Sequence, residues 1–231
     1  MMQLIQMFYD PGKVFDFVRE RRAWIIALIA NVIVITACQY YITDAIGAGN
    51  ITRHMLETSK FAANMPQEAK DKAIADADAP QAKIRTPIFT AIGVAVVYLI
   101  SGLLFMAIAG ASGGPIKFSQ AMGAAAYGSW PFAVIKSILQ VIVVAIAAEK
   151  SDLDPQHLLA FNAGALLDKA SVSKPLYALA SSIDILTFAG IALSAYGLAK
   201  VAKISFSKSL VGNILIWVVF TLLAVVAAMF F

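Results

Sequence analysis

The chain has 231 residues, of which 60% are hydrophobic and only 14% charged, with a formal net charge of +4. Soluble domains carry about 45–50% apolar and 25% charged residues, and here the apolar excess falls in blocks, which excludes a soluble globular core and points to several membrane spans. The basic residues are scattered over loops and helix ends without interleaved aromatics, which excludes a nucleic-acid-binding face, and Cys38, the one cysteine, lies in an apolar run and forms no internal disulfide.

Residues 1–22 open with Leu4, Ile5, Met7 and Phe8, followed by Asp10, Pro11 and Gly12. An aspartate before proline starts a helix well, because the carboxylate caps free amides and proline's missing donor costs nothing at the first position. The helix carries Val14, Phe15, Phe17 and Val18 on one side and Lys13, Asp16, Arg19 and Glu20 on the other, which predicts an interfacial helix lying on the membrane. Arg21 and Arg22 then precede the first span, about 23–43. This apolar run is longer than a signal-peptide core and the region before it is too structured, so it is read as a retained anchor.

Residues 44–86 are a polar connection of mixed charge with a helix expected from about Pro66 to Ala77, read as a solvated helical connector, with a small partner-binding cap as the alternative. The second span is about 87–109, and Ser112, Gly113, Gly114 and Pro115 make a tight turn. The third span, about 121–147, contains Tyr127, Pro131 and Lys136. Pro131 is expected to bend it, and Ala124 with Gly128 offers a small-residue face for close helix approach. Asp154, Pro155 and Gln156 repeat the helix-start chemistry, and Leu158, Leu159, Phe161, Leu166 and Leu167 predict a second interfacial helix. The fourth and fifth spans are about 176–199 and 210–230.

The fold class predicted is all-α, a polytopic bundle of five transmembrane helices with short interfacial helices, as a single domain over 1–231. The amino-terminal region and the turn holding Lys200, Lys203 and Lys208 are densely basic and fall on one side of a five-span bundle. By the positive-inside rule that side is the cytoplasm, which puts the carboxyl terminus on the periplasmic or extracellular side.

An ammonium at mid-membrane costs about 3 kcal/mol on insertion scales, so Lys136 needs a partner, and the acid well inside a span is Asp184. Counting residues from the helix centres puts the two at depths that agree to roughly 3 Å, which predicts a Lys136–Asp184 contact. Ser137 and Gln140, with Asn213 of the fifth span, would complete a polar cluster. The pair reads either as a structural staple or as a proton or ion relay. The staple is the simpler reading, because five spans do not divide into the inverted halves of a transporter. No serine–histidine, paired-aspartate or histidine–glutamate–histidine arrangement lies at membrane depth, so no catalytic residue is expected. His54 and His157 lie in separate loops without ligand spacing, so no metal or cofactor is expected.

Three ordered pieces carry a family resemblance: Tyr9-Asp10-Pro11 with Phe15 before a basic turn and Trp24; Gly114 and Phe118 leading to Tyr127 and Pro131; and Ile183-Asp184-Ile185 running to Gly197, Ser205 and Lys208. The chain resembles the Yip family of membrane proteins, named for interaction with Ypt-type GTPases, and in particular its short bacterial members. The resemblance implies five spans, a cytoplasmic amino terminus and no catalysis. Eukaryotic relatives carry a long cytosolic region with an Asp-Leu-Tyr-Gly-Pro motif; this chain has only Tyr9-Asp10-Pro11-Gly12, which argues against a GTPase partner. Short bacterial members look like accessory or organising proteins of the inner membrane, some working with ABC-type exporters. The expected function is therefore a noncatalytic scaffold or accessory protein in the bilayer whose partner is another membrane protein, an exporter or a second copy. The alternative is a small transporter or channel using Lys136 and Asp184.

Overall fold

Hydrocarbon offers a backbone amide no partner, so an apolar run in a bilayer satisfies its own hydrogen bonds as a helix. The computed structural model describes residues 1–230 apart from Arg22, Gln156, Lys169 and Ala170, with the backbone alone for Lys60, Phe61, Asp152 and Phe230. Arg22 of the expected basic pair and Gln156 of the expected helix start thus lie outside the described residues. The fold is all-α. Its helices are α1 (Met2–Gln6), α2 (Pro11–Arg21), α3 (Ile25–Ile46), α4 (Ala48–Thr58), α5 (Lys60–Ala63), α6 (Gln67–Asp78), α7 (Pro80–Ala111), α8 (Phe118–Ile146), α9 (Lys174–Ser182), α10 (Ile185–Ala202) and α11 (Phe206–Phe230). Among the described residues five helices are long and apolar enough to cross a membrane: α3, α7, α8, α10 and α11.

The chain divides into two compact units, Met1–Ile35 with Ala91–Lys136 and Ile185–Phe220, and Thr36–Thr90 with Ser137–Asp184 and Thr221–Phe231. In the first, α2 buries Val14, Phe15 and Val18 completely or nearly so. The expected lipid-facing side of this helix is covered by protein, because glycines make room for it. A side chain at Gly197 of α10 would strike the Phe15 ring, and one at Gly123 of α8 would strike Val18. Phe15 also meets Tyr196 edge-on, with ring centroids 5.9 Å apart. Burying each of these three apolar side chains is worth about 1.5–3 kcal/mol. The polar side holds its own contacts: the Lys200 ammonium lies 2.9 Å from the Asp16 carboxylate. The Lys13 side chain and amide hydrogen-bond Asp10, which holds its carboxyl below the usual range.

Helix ends in this unit are local chemistry. Past the end of α7, Gly113 has φ +87°, and the Gly114 N–H donates to the Ala109 carbonyl at 2.9 Å, closing the helix where a left-handed residue is needed. The end of α10 is built the same way, with the Ile204 N–H on the Ala199 carbonyl at 3.1 Å, but the left-handed residue is Lys203 at φ +55°.

The second unit departs most from the sequence reading. The connector over 44–86 is helical as expected but carries more helix than the one segment read from the sequence: α3 runs to Ile46, α4 and α5 precede α6, and α7 already starts at Pro80. Its α6 lies within one residue of the expected 66–77 helix. The expected interfacial helix after Asp154 is absent. Among the described residues of this stretch stand two short 3-10 turns, Lys150–Asp152 and Ala163–Leu166. The reason is side-chain competition. Asn162 donates to the Leu159 carbonyl at 3.0 Å and accepts from the Ala165 N–H at 3.1 Å, and Asp154 faces two histidines. The expected span 176–199 is also two helices, α9 and α10, interrupted at Ile183 and Asp184. There the Ala163 N–H donates to the Ile183 carbonyl at 2.9 Å and Asn162 bridges Asp184, so the backbone turns out of the helix to pair with the loop.

A left-handed non-glycine residue costs about 1–2 kcal/mol, part of which glycine returns through its freer unfolded chain. Lys203→Gly is therefore expected to raise the thermal midpoint in detergent by the equivalent of about 1 kcal/mol. A lowered midpoint would show that the lysine side chain contributes more than its backbone costs.

Candidate functional site

The spans α8, α10 and α11 present a mostly apolar groove with a few polar side chains in its lining, within the first unit. It is an open space of about 330 Å3 whose lining includes Ser129, Lys136, Thr187, Ser194 and Asn213, with Ala133 and Gly190 leaving it wide. Of the residues expected to cluster at membrane depth, Lys136 and Asn213 are brought to this groove. Lys136 is half-buried, and Asn213 is 6% exposed, its amide donating to the Ser209 carbonyl at 2.9 Å. Ser137 is buried and Gln140 half-buried; both, with Asp184, belong to the second unit. Asp184 is 6% exposed and stands immediately before α10 rather than within a continuous span. An aspartate just ahead of a helix favours the free amides of the first turn, a signal that Ser181-Ser182-Ile183-Asp184 carries inside the apolar run.

Tyr127 is fully buried, and its hydroxyl has no hydrogen-bond partner. Pro131 lies inside α8, which continues through it, and is buried. The small-residue face is used as expected. Ala124 is fully buried, and a side-chain carbon at Gly128 would come within 2.8 Å of the Ser194 Cα, so α8 and α10 approach backbone to backbone.

What the groove rests on is a network built from uncharged residues. Asn31 of α3 is 0% exposed. Its amide donates to the Ala27 carbonyl at 2.8 Å and to the Ala126 carbonyl at 3.0 Å, and its oxygen accepts from the Tyr98 hydroxyl at 2.8 Å. Tyr98 lies 2.8 Å from the Ser129 hydroxyl in turn, and Ser129 reaches the Ala125 carbonyl at 3.0 Å. Both donors and the acceptor of the amide are thereby used, and α3, α7 and α8 are tied to a residue of the groove. A count of charges misses this set. The sequence signal was an asparagine and a tyrosine within apolar runs.

A second polar cluster lies in the second unit. Asp154 faces both histidines of the chain, with Oδ1 3.5 Å from His54 Nε2 and Oδ2 2.9 Å from His157 Nδ1. The Tyr177 ring stands edge-on to His157, centroids 4.9 Å apart. The fold thus brings α4 and the α8–α9 connection together, which spacing alone kept separate. Among the described residues no three histidine, cysteine, aspartate or glutamate side chains are grouped to hold a metal ion.

A family model described as the Yip1 domain matches residues 5–229. The chain belongs to the Yip1 family. Comparison with curated proteins and with solved structures gives no match. In this Yip1 protein the signature residues are largely packing positions of the first unit. Phe15 fills the space over Gly197, Gly114 lies against the Ala202 backbone, and Phe118 and Trp24 pack on the core that encloses Tyr127. Lys208 donates to the Ser112 carbonyl at 3.2 Å, so the basic turn is held to the end of α7.

Asn31→Leu removes three hydrogen bonds and Tyr98→Phe the two of its hydroxyl, at a net of about 1 kcal/mol or less for each, so Asn31→Leu is expected to lower the thermal midpoint more than Tyr98→Phe. Equal midpoints for both variants and the parent would remove the network from the account.

Proposed function

We propose that this Yip1 protein is a noncatalytic scaffold or accessory subunit that seats a transmembrane helix of another membrane protein in the groove of α8, α10 and α11. The observation that carries the reading is the shape and lining of that groove: Gly190 and Ala133 leave room for a helix, Phe132, Leu186 and Ile191 give it a mostly apolar wall, and Ser194 and Asn213 stand within it. In hydrocarbon, small residues and polar side chains are what hold helices together, since burial against lipid adds little. The partner class is a polytopic transport or export protein, an ABC-type exporter included, or a second copy of the chain. The setting is a bacterial inner membrane with the amino terminus in the cytoplasm, supported by the basic amino-terminal region and the lysines of the α10–α11 turn. A transporter is the second reading, favoured by one observation: the helix break at Ile183 and Asp184, since interrupted helices commonly frame ion sites.

A side-chain carbon at Gly190 would stand at ordinary contact distance, 3.6 Å, from its nearest neighbour Phe132, so Gly190→Leu is expected to fill the groove with the fold retained. Photocrosslinking from position 133 in native membranes is expected to capture one defined membrane protein, and Gly190→Leu to abolish that product at unchanged protein level. Solute movement by the purified protein alone in vesicles would overturn the scaffold reading in favour of transport.

The pairing of Lys136 with Asp184 is part of the proposal. Lys136→Ala and Asp184→Ala are each expected to reduce folded yield, with the double variant losing less than the sum by about 0.5–3 kcal/mol in a double-mutant cycle. Strict additivity in thermal unfolding would eliminate the pair.

A further inference from the structure

The second unit holds a larger space that the scaffold reading does not use. It is a cavity of about 620 Å3, within the range of small-molecule sites, between the end of α4, the first turn of α9 and the last turns of α11. Its walls differ by element. α11 contributes only Ala224, Ala227 and Ala228. Their spacing puts them on one face of a bilayer-spanning helix, while Leu223 and Val226 stand exposed beside that face. The other walls carry Met55 and Ala178 and, with them, the polar groups of the cavity. Glu57 and Ser59 come from the end of α4 and the residue after it, Lys174 and Tyr177 from α9, and His157 from the connecting loop.

Two of these groups are held in place. The Lys174 ammonium donates to the carbonyl of Thr58, the last residue of α4, so a positive charge is fixed at the cavity beside the Glu57 carboxylate. His157 is held through Nδ1 by Asp154 and by the Tyr177 ring. A fixed cation and a carboxylate one residue from its anchor fit an occupant that carries both charges. The alanine wall, at the end of a spanning helix, fits an occupant with an apolar tail at the same level. A solute lacks the tail, and a partner helix lacks the paired charges.

We propose that this cavity binds one zwitterionic phospholipid of the primary-amine type, with its phosphate at Lys174, its ammonium at Glu57 and one acyl chain along Ala224, Ala227 and Ala228. A primary ammonium donates hydrogen bonds to the carboxylate, which a quaternary choline does not, and a glycerol headgroup brings no cation to Glu57. The preference follows as ethanolamine over choline and over glycerol headgroups.

The test is native mass spectrometry of the purified full-length protein with phosphatidylethanolamine, phosphatidylcholine and phosphatidylglycerol of identical acyl chains at equal concentration. One ethanolamine lipid per chain is expected to be retained, about tenfold more tightly than the other two. Lys174→Ala is expected to weaken all three phospholipids, and Ala227→Phe to exclude them by filling the apolar wall. Glu57→Gln, a change at an exposed residue, is expected to erase the preference for ethanolamine over choline while leaving the thermal midpoint unchanged. Equal retention of the three headgroups, or unchanged retention in Ala227→Phe, would overturn the site. A dimer of lipid-free protein that Ala227→Phe dissociates would assign the alanine wall to a second copy instead. The test uses the protein alone, so it stands or falls separately from any partner in the groove.

Discussion

A carboxamide in hydrocarbon has to find a partner for every donor and acceptor or leave the membrane, and Asn31 finds all of them inside the bundle. One side chain thereby dictates how α3, α7 and α8 meet, since its two donors reach carbonyls of α3 and α8 while its acceptor takes the Tyr98 hydroxyl of α7. Hydrophobic burial does not select a unique arrangement of apolar helices in lipid, because tails solvate leucine as well as neighbouring helices do. A hydrogen-bonding set that closes in one geometry does select. Ser129 extends the set to the groove, so part of its lining is positioned by the same constraint that orders the core.

Glycine and alanine do the complementary work. Where Gly197 admits the Phe15 ring and Gly128 lets α8 lie against Ser194, close approach replaces the hydrophobic effect as the source of cohesion. At α2, which meets water on one side, burial of Val14, Phe15 and Val18 adds to it. Phe15 and Gly197, two of the residues on which the family resemblance rests, are among these contact positions.

The second unit is organised differently, by side chains that compete with the helix. Asn162 and Asp154 draw the backbone between α8 and α9 into turns, and the pairing of Asn162 with Asp184 separates α9 from α10. The same competition opens space beside the last turns of α11. Short helices, loops and fixed charges at the end of spanning helices make a surface where lipid headgroups and protein polar groups share one layer, in contrast to the packed helices of the first unit.

Much of the architecture was legible in the residues alone, because each spanning run has to satisfy its own backbone and therefore declares itself by length and hydropathy. That holds for α3, α7, α8 and α11, for the Gly-Gly turn after α7, and for the apolar face of α2, though not for the protein that covers that face. Charge drew attention to Lys136 and Asp184, yet the arrangement of the core rests on Asn31 and Tyr98, which carry no charge and stand out little in an apolar run. The broken fourth span, the loop that replaced the helix after Asp154, and the meeting of His54 with His157 on one carboxylate were decided by tertiary structure. Each of these depends on a partner distant in the chain, and local propensity cannot see a hydrogen bond whose acceptor lies on another element.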